Sequence, residues 1–380
     1  MKKNLSIILA VAAMFAVVLT AGCVTTDSPQ SGDGMVTITD AFGREVTIPE
    51  NPEKIAVVGS GSMRYFVYLG IDLDDVCAVD YQDSALNIQT VNLRPYALAN
   101  PEILEIPEVG PAKGVVDNEK LLMSGADILF MGGASSSNAE VANEIQEKTG
   151  VPVVMFFTGN YVTDSEKIQD TLLMLGEILG KEQRAKDLIA YFDAVEADLK
   201  KRVNGLSADE TVYVGGVSYN GVHGFDGTDP TYYPFTILNI KNAASEISSV
   251  SQTGYAQVSK EKILEWDPDF IIVDLSTLTA AEGGALVELK NDPSYKELTA
   301  VKNSMVYTVN PHTSMNVNHE TTLANSYFIG KLLYPEQFED IDPVKKADEI
   351  YSFVVGEPVF DLLKENVDGL SYQRVLFDRQ

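Results

Sequence analysis

Residues 164–203, DSEKIQDTLLMLGEILGKEQRAKDLIAYFDAVEADLKKRV, form the longest helical pattern in the chain and divide it into two halves. Apolar residues recur there in steps of three and four, at positions 168, 172, 175 and 179 and again at 185, 188, 192, 195 and 199. This spacing places them on one face of an amphipathic helix. Gly180 lies between the two runs, where a glycine favours a break. The second run, from about Glu182 to Val203, predicts a helix about 33 Å long, enough to cross a small domain.

Short apolar runs alternate with helical patterns on both sides of this region. The predicted strands are residues 54–59, 76–80, 127–133 and 151–157 before it, and 211–217, 269–275 and 304–309 after it. Strands that are apolar throughout and separated by helices indicate a parallel sheet covered on both faces. Further helices are predicted near residues 233–246, 259–266, 319–333 and 343–355. The fold class is therefore α/β, with one lobe over residues 36–163, connecting helices over 164–205 and a second lobe over 206–380.

The first 23 residues have the pattern of an export signal. Two lysines precede an apolar run that is shorter than the about 20 residues of a transmembrane helix, and three small residues then lead to Cys23. We predict a signal peptide over residues 1–22. Its small-small-Cys ending resembles a lipobox, the site at which lipoproteins are cleaved and lipidated on the new N-terminal cysteine; a plain signal peptide with an incidental cysteine is the alternative. Residues 23–35, rich in Ser, Thr, Asp and Gly, would then form a flexible tether.

Composition excludes several classes of protein. The chain has 380 residues, only two cysteines and a net charge of −27. Two cysteines cannot staple a small disulfide scaffold, and an acidic excess of this size argues against nucleic acid as a partner. Neither GxxxxGKS nor GxGxxG occurs, which disfavours a nucleotide site, and neither GxSxG nor HExxH occurs, which disfavours a secreted metal-dependent hydrolase.

A short sequence repeat occurs once in each half of the chain. Residues 118–130 are NEKLLMSGADILF and residues 260–272 are KEKILEWDPDFII. Both have Glu-Lys, an apolar residue and Leu, then an Asp eight residues after the Glu and an apolar strand. This is the pattern of a helix, a turn and a strand at corresponding places in both halves, and it predicts a shared architecture. Chance likeness between two helix-to-strand units is the alternative.

Several of these segments, in their order and spacing, resemble one family. They are the lipobox, TDAFGREVTIPENPEKIAVV (residues 39–58), the two Glu-Lys units and NDPSYKELTAVKNSMVYTV (residues 291–309). The family is the substrate-binding lipoproteins of ABC importers for iron-siderophores, haem and corrinoids, the class III periplasmic binding proteins, and the resemblance covers residues 36–356. It implies two Rossmann-like lobes joined by a long α-helix, with the ligand cleft between the lobes. Open α/β sheets also bind ligands at the carboxyl ends of their strands.

The resemblance also implies partners and a location. The protein would not be an enzyme: with no cofactor of its own, it would capture a ferric siderophore or similar iron(III) chelate and deliver it to an ABC importer permease dimer. Its lipid would hold it on the outer face of the cytoplasmic membrane, on the periplasmic or extracellular side. In the family, one glutamate of each lobe docks on permease arginines, and the matching residues are Glu119 and Glu261. Each could equally be a solvated helix residue.

Candidate ligand-binding residues lie in the loops after the predicted strands and in a tyrosine-rich segment of the second lobe. Tyrosine faces suit a flat or aromatic ligand, imidazole ligates iron, zinc and cobalt, and the arginine fork suits carboxylate or catecholate groups. The candidates are Arg64, Tyr65, Tyr81, Arg94, Tyr161, Tyr219, His223, Tyr232, Tyr233, Tyr255, His312 and His319. All three histidines of the chain are among them, but no HxxxH or CxxC pair marks a metal site, so direct metal binding stays open.

The identity of the ligand stays open between several classes. Many relatives carry an acidic residue in the helix after the first strand, where this chain has Arg64 and Tyr65. Because of this departure, haem, a corrinoid or an oxyanion such as molybdate are alternatives to a ferric chelate. Haem would need apolar walls and an axial His or Tyr, whereas a small oxyanion would need a tight polar pocket.

Overall fold

The computed structural model describes residues 34–84, 92–111, 114–133, 138–219, 223–251, 254–278 and 284–377. The predicted signal peptide, Cys23 and all but the last two residues of the predicted tether lie outside these residues. No helix in the described part of the chain is long and apolar enough to span a membrane.

The first lobe opens with an antiparallel hairpin, β1 (Met35–Thr39) and β2 (Glu45–Pro49). It continues as a five-stranded parallel sheet ordered β5-β4-β3-β6-β7. The strands are β3 (Ile55–Val58), β4 (Val76–Asp80), β5 (Glu108–Gly110), β6 (Ile128–Gly133) and β7 (Val153–Phe157), and the helices are α1 (Met63–Tyr68), α2 (Pro95–Ala99), α3 (Asn118–Ser124) and α4 (Ala139–Thr149). The chain leaves β3 for β4 and β5 on one side and returns to β6 on the other. The ends of β3 and β6 therefore form the kind of crevice where open sheets bind ligands.

Helices α5 (Tyr161–Ile178) and α6 (Glu182–Arg202) connect the lobes. Gly180, with a φ of +63°, lies between them, as its position between the two apolar runs predicts. The helices pack against each other; α5 also contacts β7, whereas α6 contacts helices of the second lobe. The connection is thus a packed helix pair with one long member, because α6 has 21 residues and extends about 32 Å.

The second lobe is built on a four-stranded parallel sheet ordered β10-β8-β12-β13. Its strands are β8 (Thr211–Gly215), β10 (Lys241–Asn242), β12 (Phe270–Asp274) and β13 (Val306–Val309), beside an antiparallel pair of β9 (Gly227–Thr228) and β11 (Ala256–Gln257). The helices are α7 (Tyr233–Ile237), α8 (Lys260–Trp266), α9 (Gly284–Asn291), α10 (Thr299–Lys302), α11 (His319–Leu333), α12 (Pro343–Val355) and α13 (Phe360–Asn366). Helices α8, α11 and α12 lie where they were predicted. The helix predicted near 233–246 ends at Ile237, because Asn239 has a left-handed backbone (φ +53°) and β10 then pairs with β8.

The two faces of each sheet are buried in different ways. On one face, the first lobe has a core of its own that includes Val58 and Met155, and the second lobe has one that includes Tyr213 and Val273. The opposite faces belong to one continuous apolar cluster that runs through α6, α11 and α12 across both lobes. Helix α12 also contacts α1 and α2 of the first lobe. The lobes therefore share a packed junction, and the candidate site lies at it.

Candidate functional site

The loop between β3 and α1 brings the first lobe into contact with the second. Gly61 has a φ of +67°, and a Cβ on it would lie 1.8 Å from the carbonyl oxygen of Met315. Only glycine fits there, because the backbone of the second lobe approaches so closely. Asp80, at the end of β4, holds this loop by accepting hydrogen bonds from Gly59 N at 3.1 Å and Gly114 N at 2.8 Å. The lobe junction thus lies at the carboxyl ends of the first-lobe strands.

Arg64 is a buried cation at this junction, with 1% of its surface exposed. Its Nη2 donates to the carbonyl oxygens of Ser314 at 3.0 Å and Met315 at 3.3 Å, and its Nε donates to that of Gly61 at 3.0 Å. The guanidinium carbon lies 5.2 Å from the centre of the Tyr96 ring, which favours the cation. Its Nη1 has no hydrogen-bond partner among the described residues. One nitrogen of the fork is thus free to meet an additional acceptor.

His319 begins α11, as predicted, and lies against tyrosines from the first lobe and from α5. Its ring centre is 6.2 Å from that of Tyr65 and 6.0 Å from that of Tyr161, and its Nε2 lies 3.5 Å from the Tyr65 hydroxyl. Burial, reinforced by the positive charge of Arg64, lowers the pKa of His319 to about 3. The imidazole is therefore neutral, and its Nδ1 has no partner among the described residues. A neutral imidazole nitrogen can form a hydrogen bond or bind a metal ion.

Glu320, the next residue, is a buried carboxyl group that the sequence did not single out. Its Oε2 accepts a hydrogen bond from the Tyr68 hydroxyl, while its Oε1 has no partner in the described part of the chain. Burial raises the pKa of Glu320, against the lowering effects of Arg64 and of the Tyr68 hydrogen bond. Its sequence signal is weak: it is the only acidic residue of α11.

A small cavity opens beside His319, between the connecting helices and the second lobe. Its lining includes Asn160, Tyr161, Phe192, Tyr233, His319 and Thr322. Burial raises the pKa of Tyr161 to about 12, so its hydroxyl stays protonated near neutral pH. The cavity therefore combines aromatic walls with a neutral imidazole and phenol groups. Asn160 lies in the loop after β7, one of the loops after strands that were expected to face the cleft. Phe192 was not among the predicted residues, because nothing in its local sequence separates it from an ordinary helix position.

His312 lies after β13 in a second buried cluster, between two carboxylates. Its Nδ1 is 2.7 Å from Asp274 Oδ2, which also accepts from the His312 backbone N at 3.0 Å, and its Nε2 is 3.8 Å from Asp229 Oδ2. Burial alone would lower the pKa of His312, but the two carboxylates together raise it. The Nδ1 of His312 is therefore paired inside the second lobe, whereas its Nε2 has no hydrogen bond among the described residues. Within the described residues, no three His, Cys, Asp or Glu side chains are placed to hold one metal ion.

Tyr219, His223 and Tyr255 form an aromatic cluster in the second lobe. The rings of Tyr219 and Tyr255 are stacked with centres 5.3 Å apart, and the His223 ring centre lies 4.7 Å from that of Tyr255. The Ser218 and Thr313 hydroxyls, 3.4 Å apart, connect this cluster to the segment that contacts Arg64. Tyr219 and His223 are half-buried and Tyr255 is buried. None of the three is among the residues that line the cavity beside His319.

The remaining predicted ligand residues lie elsewhere. Arg94 is buried within the first lobe, where its Nη1 pairs with Asp83 at 3.4 Å. Tyr232 was expected on an open loop but is fully buried, with its ring centre 5.1 Å from that of His312. Tyr81 is half-buried after β4. Arg94 is thus committed to an ion pair of its own lobe and Tyr232 to the packing of the second lobe.

Glu119 and Glu261 occupy the same place in two matching helix–strand units. Each is the second residue of its helix, α3 or α8, and each is exposed. Both helices bury the residue two positions later, Leu121 or Ile263, and end at a residue with a left-handed backbone before the next strand. The internal repeat predicted from the sequence is therefore present in the structure.

Comparisons with known proteins agree with this architecture. The family model for periplasmic binding proteins matches residues 72–313. The chain is 22% identical to the ABC transporter substrate-binding lipoprotein YvrC of Bacillus subtilis, over 80% of this chain and 87% of that protein. It is 24% identical to the molybdate-binding protein MolA of Haemophilus influenzae, over 83% of this chain and 89% of that protein.

Solved structures have the same fold. The structure of MolA bound to molybdate superposes with a TM-score of 0.66 at 20% identity, over 85% of this chain and 98% of that one. The petrobactin-binding protein YclQ of Bacillus subtilis superposes with a TM-score of 0.57 at 19% identity, over 80% of this chain and 98% of that one. The predicted two-lobed α/β fold is confirmed, and the family model covers more than half of the sequence. The chain therefore belongs to the periplasmic binding protein family.

Proposed function

We propose that the protein is an extracytoplasmic solute-binding protein that captures a ferric siderophore or similar iron(III) chelate between its lobes and delivers it unchanged to an ABC importer. The observation that carries this proposal is a set of buried polar atoms without partners among the described residues: Arg64 Nη1, His319 Nδ1 and Glu320 Oε1. Leaving such an atom unpaired costs about 1–3 kcal/mol. These atoms come from both lobes, so a ligand held between the lobes can satisfy them together.

The donors at the junction fit an anionic chelate. Carboxylate, catecholate or hydroxamate oxygens accept well from a guanidinium such as that of Arg64. The neutral imidazole of His319 can donate to such an oxygen or take a coordination position on the metal. Tyr161 and Tyr233 give the cavity aromatic surface for the organic part of the ligand. The iron would enter as cargo, and the protein would need no cofactor of its own.

A ligand of siderophore size requires the lobes to separate. The contacts that would have to break first are the hydrogen bonds from Arg64 to the carbonyl oxygens of Ser314 and Met315. Those bonds would also re-form on closure, with Nη1 of the same side chain turned to the ligand. Arg64 would therefore link ligand capture to lobe closure.

A small oxyanion such as molybdate is the second candidate. The cavity beside His319 is small, and the relative MolA is a molybdate-binding protein. Arg64, Tyr65 and His319 would then supply donors to the oxyanion. Haem or a corrinoid could use His319 as an axial ligand but needs a much larger apolar chamber.

A thermal-shift panel tests these ligands. Purified protein would be heated with ferric catecholate and hydroxamate siderophores, molybdate, haemin and cobalamin, because stabilisation grows with ligand excess over the dissociation constant. We expect one class of ligand to raise the melting temperature. The variant Arg64→Met should abolish this rise, whereas the control Lys200→Met, on an exposed helix face, should show the same rise as wild type. No rise with any ligand would contradict the proposal. Mass spectrometry of the recovered ligand should find it unchanged; a transformed product would indicate an enzyme.

Delivery would use the lipid anchor and the two docking glutamates. Lipid on Cys23 would hold the protein at the outer face of the cytoplasmic membrane, and Glu119 and Glu261 would pair with permease arginines. We expect Cys23→Ala to release the protein from membranes. Glu119→Ala with Glu261→Ala should stop uptake and leave ligand binding intact. Unchanged uptake in the double variant would exclude this docking mode.

A further inference from the structure

The first lobe carries exposed apolar side chains on α3 and on the segments beside it. Leu122 and Met123 are 54% and 86% exposed, and Val115 and Val141 are exposed as well. Met123 is the most exposed large apolar side chain of the described residues. Leu122 and Met123 are neighbours on α3, and Val115 and Val141 line one groove; exposed apolar side chains that lie together mark interaction sites in proteins that fold as monomers. We call these four residues the apolar patch.

A groove adjoins the apolar patch. It lies between α3 and α4, and its lining includes Val115, Asn118 and Val141 together with the charged Glu144 and Lys148. Leu122 lies four residues after Asn118 on α3, so it extends the same helix face beyond the groove. The apolar patch thus has a groove that an apolar side chain of a partner could enter, and a protruding Leu122 that the partner could cover.

The matching helix of the second lobe shows that the apolar side chain of Met123 is not needed for folding, whereas the position of Leu122 is apolar in both helices, as Leu264 in α8. Helices α3 and α8 bury the equivalent residues Leu121 and Ile263 completely. At the position of Met123, however, α8 has Glu265, which pairs with Lys262 at 3.1 Å. The shared architecture therefore tolerates a charged residue at this place, and the exposed methionine of the first lobe requires another explanation.

Glu119 indicates which kind of partner fits this surface. It lies one turn before Leu122 and Met123 on α3, it is exposed, and it forms no ion pair within the described residues. A partner that fits this surface has a cation beside an apolar side chain. A second copy of this chain does not fit, because two chains of net charge −27 would bring like charges together.

We propose that the apolar patch is a docking contact for the permease of the ABC importer, which inserts an apolar side chain beside the cation that pairs with Glu119. This inference rests on the proposed function and extends it. The second lobe would dock through Glu261, and at the position of Met123 it presents the charged Glu265. The two lobes thus present different chemistry to the same partner, and methionine suits the first of them because its flexible side chain adapts to the surface it meets.

The test measures affinity between the ligand-loaded protein and the importer purified in lipid nanodiscs. The variant Leu122→Gln with Met123→Gln should lower the affinity by about tenfold or more, as expected for the loss of two buried apolar contacts. The matched control, Leu362→Gln on the exposed face of α13, should leave it unchanged. Because salt screens charges but not apolar contacts, the ratio between wild type and variant should stay the same as ionic strength rises, while the loss in Glu261→Ala shrinks.

The outcomes separate this inference from the proposed function. If Glu119→Ala and Glu261→Ala weaken docking but the glutamine variant does not, the apolar patch is no docking contact and the proposed function stands. If none of these variants changes docking, the proposed docking mode fails as well. If sedimentation shows a dimer of the wild-type protein and a monomer of the glutamine variant, the apolar patch joins two copies of this chain and the inference is overturned.

Discussion

His312 and His319 lie seven residues apart, and each has 3% of its surface exposed, yet their surroundings shift their pKa values in opposite directions. His312 lies between two carboxylates that raise its pKa. His319 lies near Arg64 among tyrosines, and its pKa falls to about 3. Burial is equal in the two cases, so the sign of the nearest charge decides the direction in which each pKa moves.

The same contrast distinguishes the structural cluster around His312 from the candidate ligand site around His319. Around His312 the charged groups all belong to the second lobe: its Nδ1 pairs with Asp274, and its Nε2 faces Asp229 at 3.8 Å without a hydrogen bond among the described residues. Around His319 three polar atoms from both lobes lack partners among the described residues. A pair within one lobe stabilises that lobe, whereas unpaired atoms of both lobes at the junction cost stability that a ligand can restore. Four variants test this distinction, and they are ordered by expected effect.

The largest effect is expected for Asp274→Asn. It removes the buried carboxylate charge that pairs with His312 at 2.7 Å, and removing one partner of a buried charged pair costs about 3–5 kcal/mol. Chemical denaturation should measure this loss of unfolding free energy, while ligand affinity per folded molecule stays the same. Lys200→Gln, in the exposed Lys200–Glu196 pair, is the control and should change stability little. A small loss in Asp274→Asn would mean that the pair of His312 and Asp274 does not stabilise the second lobe.

His319→Gln should change the dependence of stability on pH. Because the folded pKa of about 3 lies below the ordinary value of 6.5, the contribution of His319 is present above pH 6.5 and is lost as pH falls. Between pH 7 and pH 5, wild type should lose about 2 kcal/mol more unfolding free energy than the variant. His312→Gln should show the opposite sign, since a raised pKa stabilises below pH 6.5 and the contribution is lost as pH rises. If unfolding free energy depended on pH in the same way in both variants, the two histidines would not have oppositely shifted pKa values.

Tyr68→Phe should cost about 1–2 kcal/mol of unfolding free energy. The hydroxyl of Tyr68 donates the hydrogen bond to Glu320, and without it both carboxyl oxygens of Glu320 lack a partner among the described residues. Thermal unfolding at neutral pH measures the effect. Adding Glu320→Leu should recover the lost stability; no recovery would mean that the Tyr68 hydroxyl acts through another group.

The smallest effect is expected for Tyr65→Phe. The Tyr65 hydroxyl lies 3.5 Å from His319 Nε2, which is a long hydrogen bond, so its loss should change stability by about 0.5 kcal/mol. Ligand affinity should fall more than stability, because the hydroxyl would be oriented for the ligand. Isothermal titration with the ligand identified in the thermal-shift panel measures this; an unchanged affinity would place Tyr65 outside the site.

Most of the fold was predictable because its signals are local. The apolar periodicity of α6, α11 and α12 and the break at Gly180 are properties of a few neighbouring residues. The helix predicted near 233–246 was too long, because pairing of β10 with β8 is a long-range interaction that local propensity does not contain. His319 was identified as a candidate, but its surroundings were not, since the Tyr65 hydroxyl that faces it is 254 positions away in the sequence.

By itself, the sequence determined which segments form strands and helices, the two-lobed order of those segments and the repeated unit that places Glu119 and Glu261. These depend on periodicity and spacing along the chain. Only the tertiary structure decided that Arg94 is paired within its own lobe, while one nitrogen of Arg64 at the junction has no partner in the described part of the chain. The physical reason is that the charge and availability of a buried group depend on which distant groups surround it, and folding alone brings those groups together.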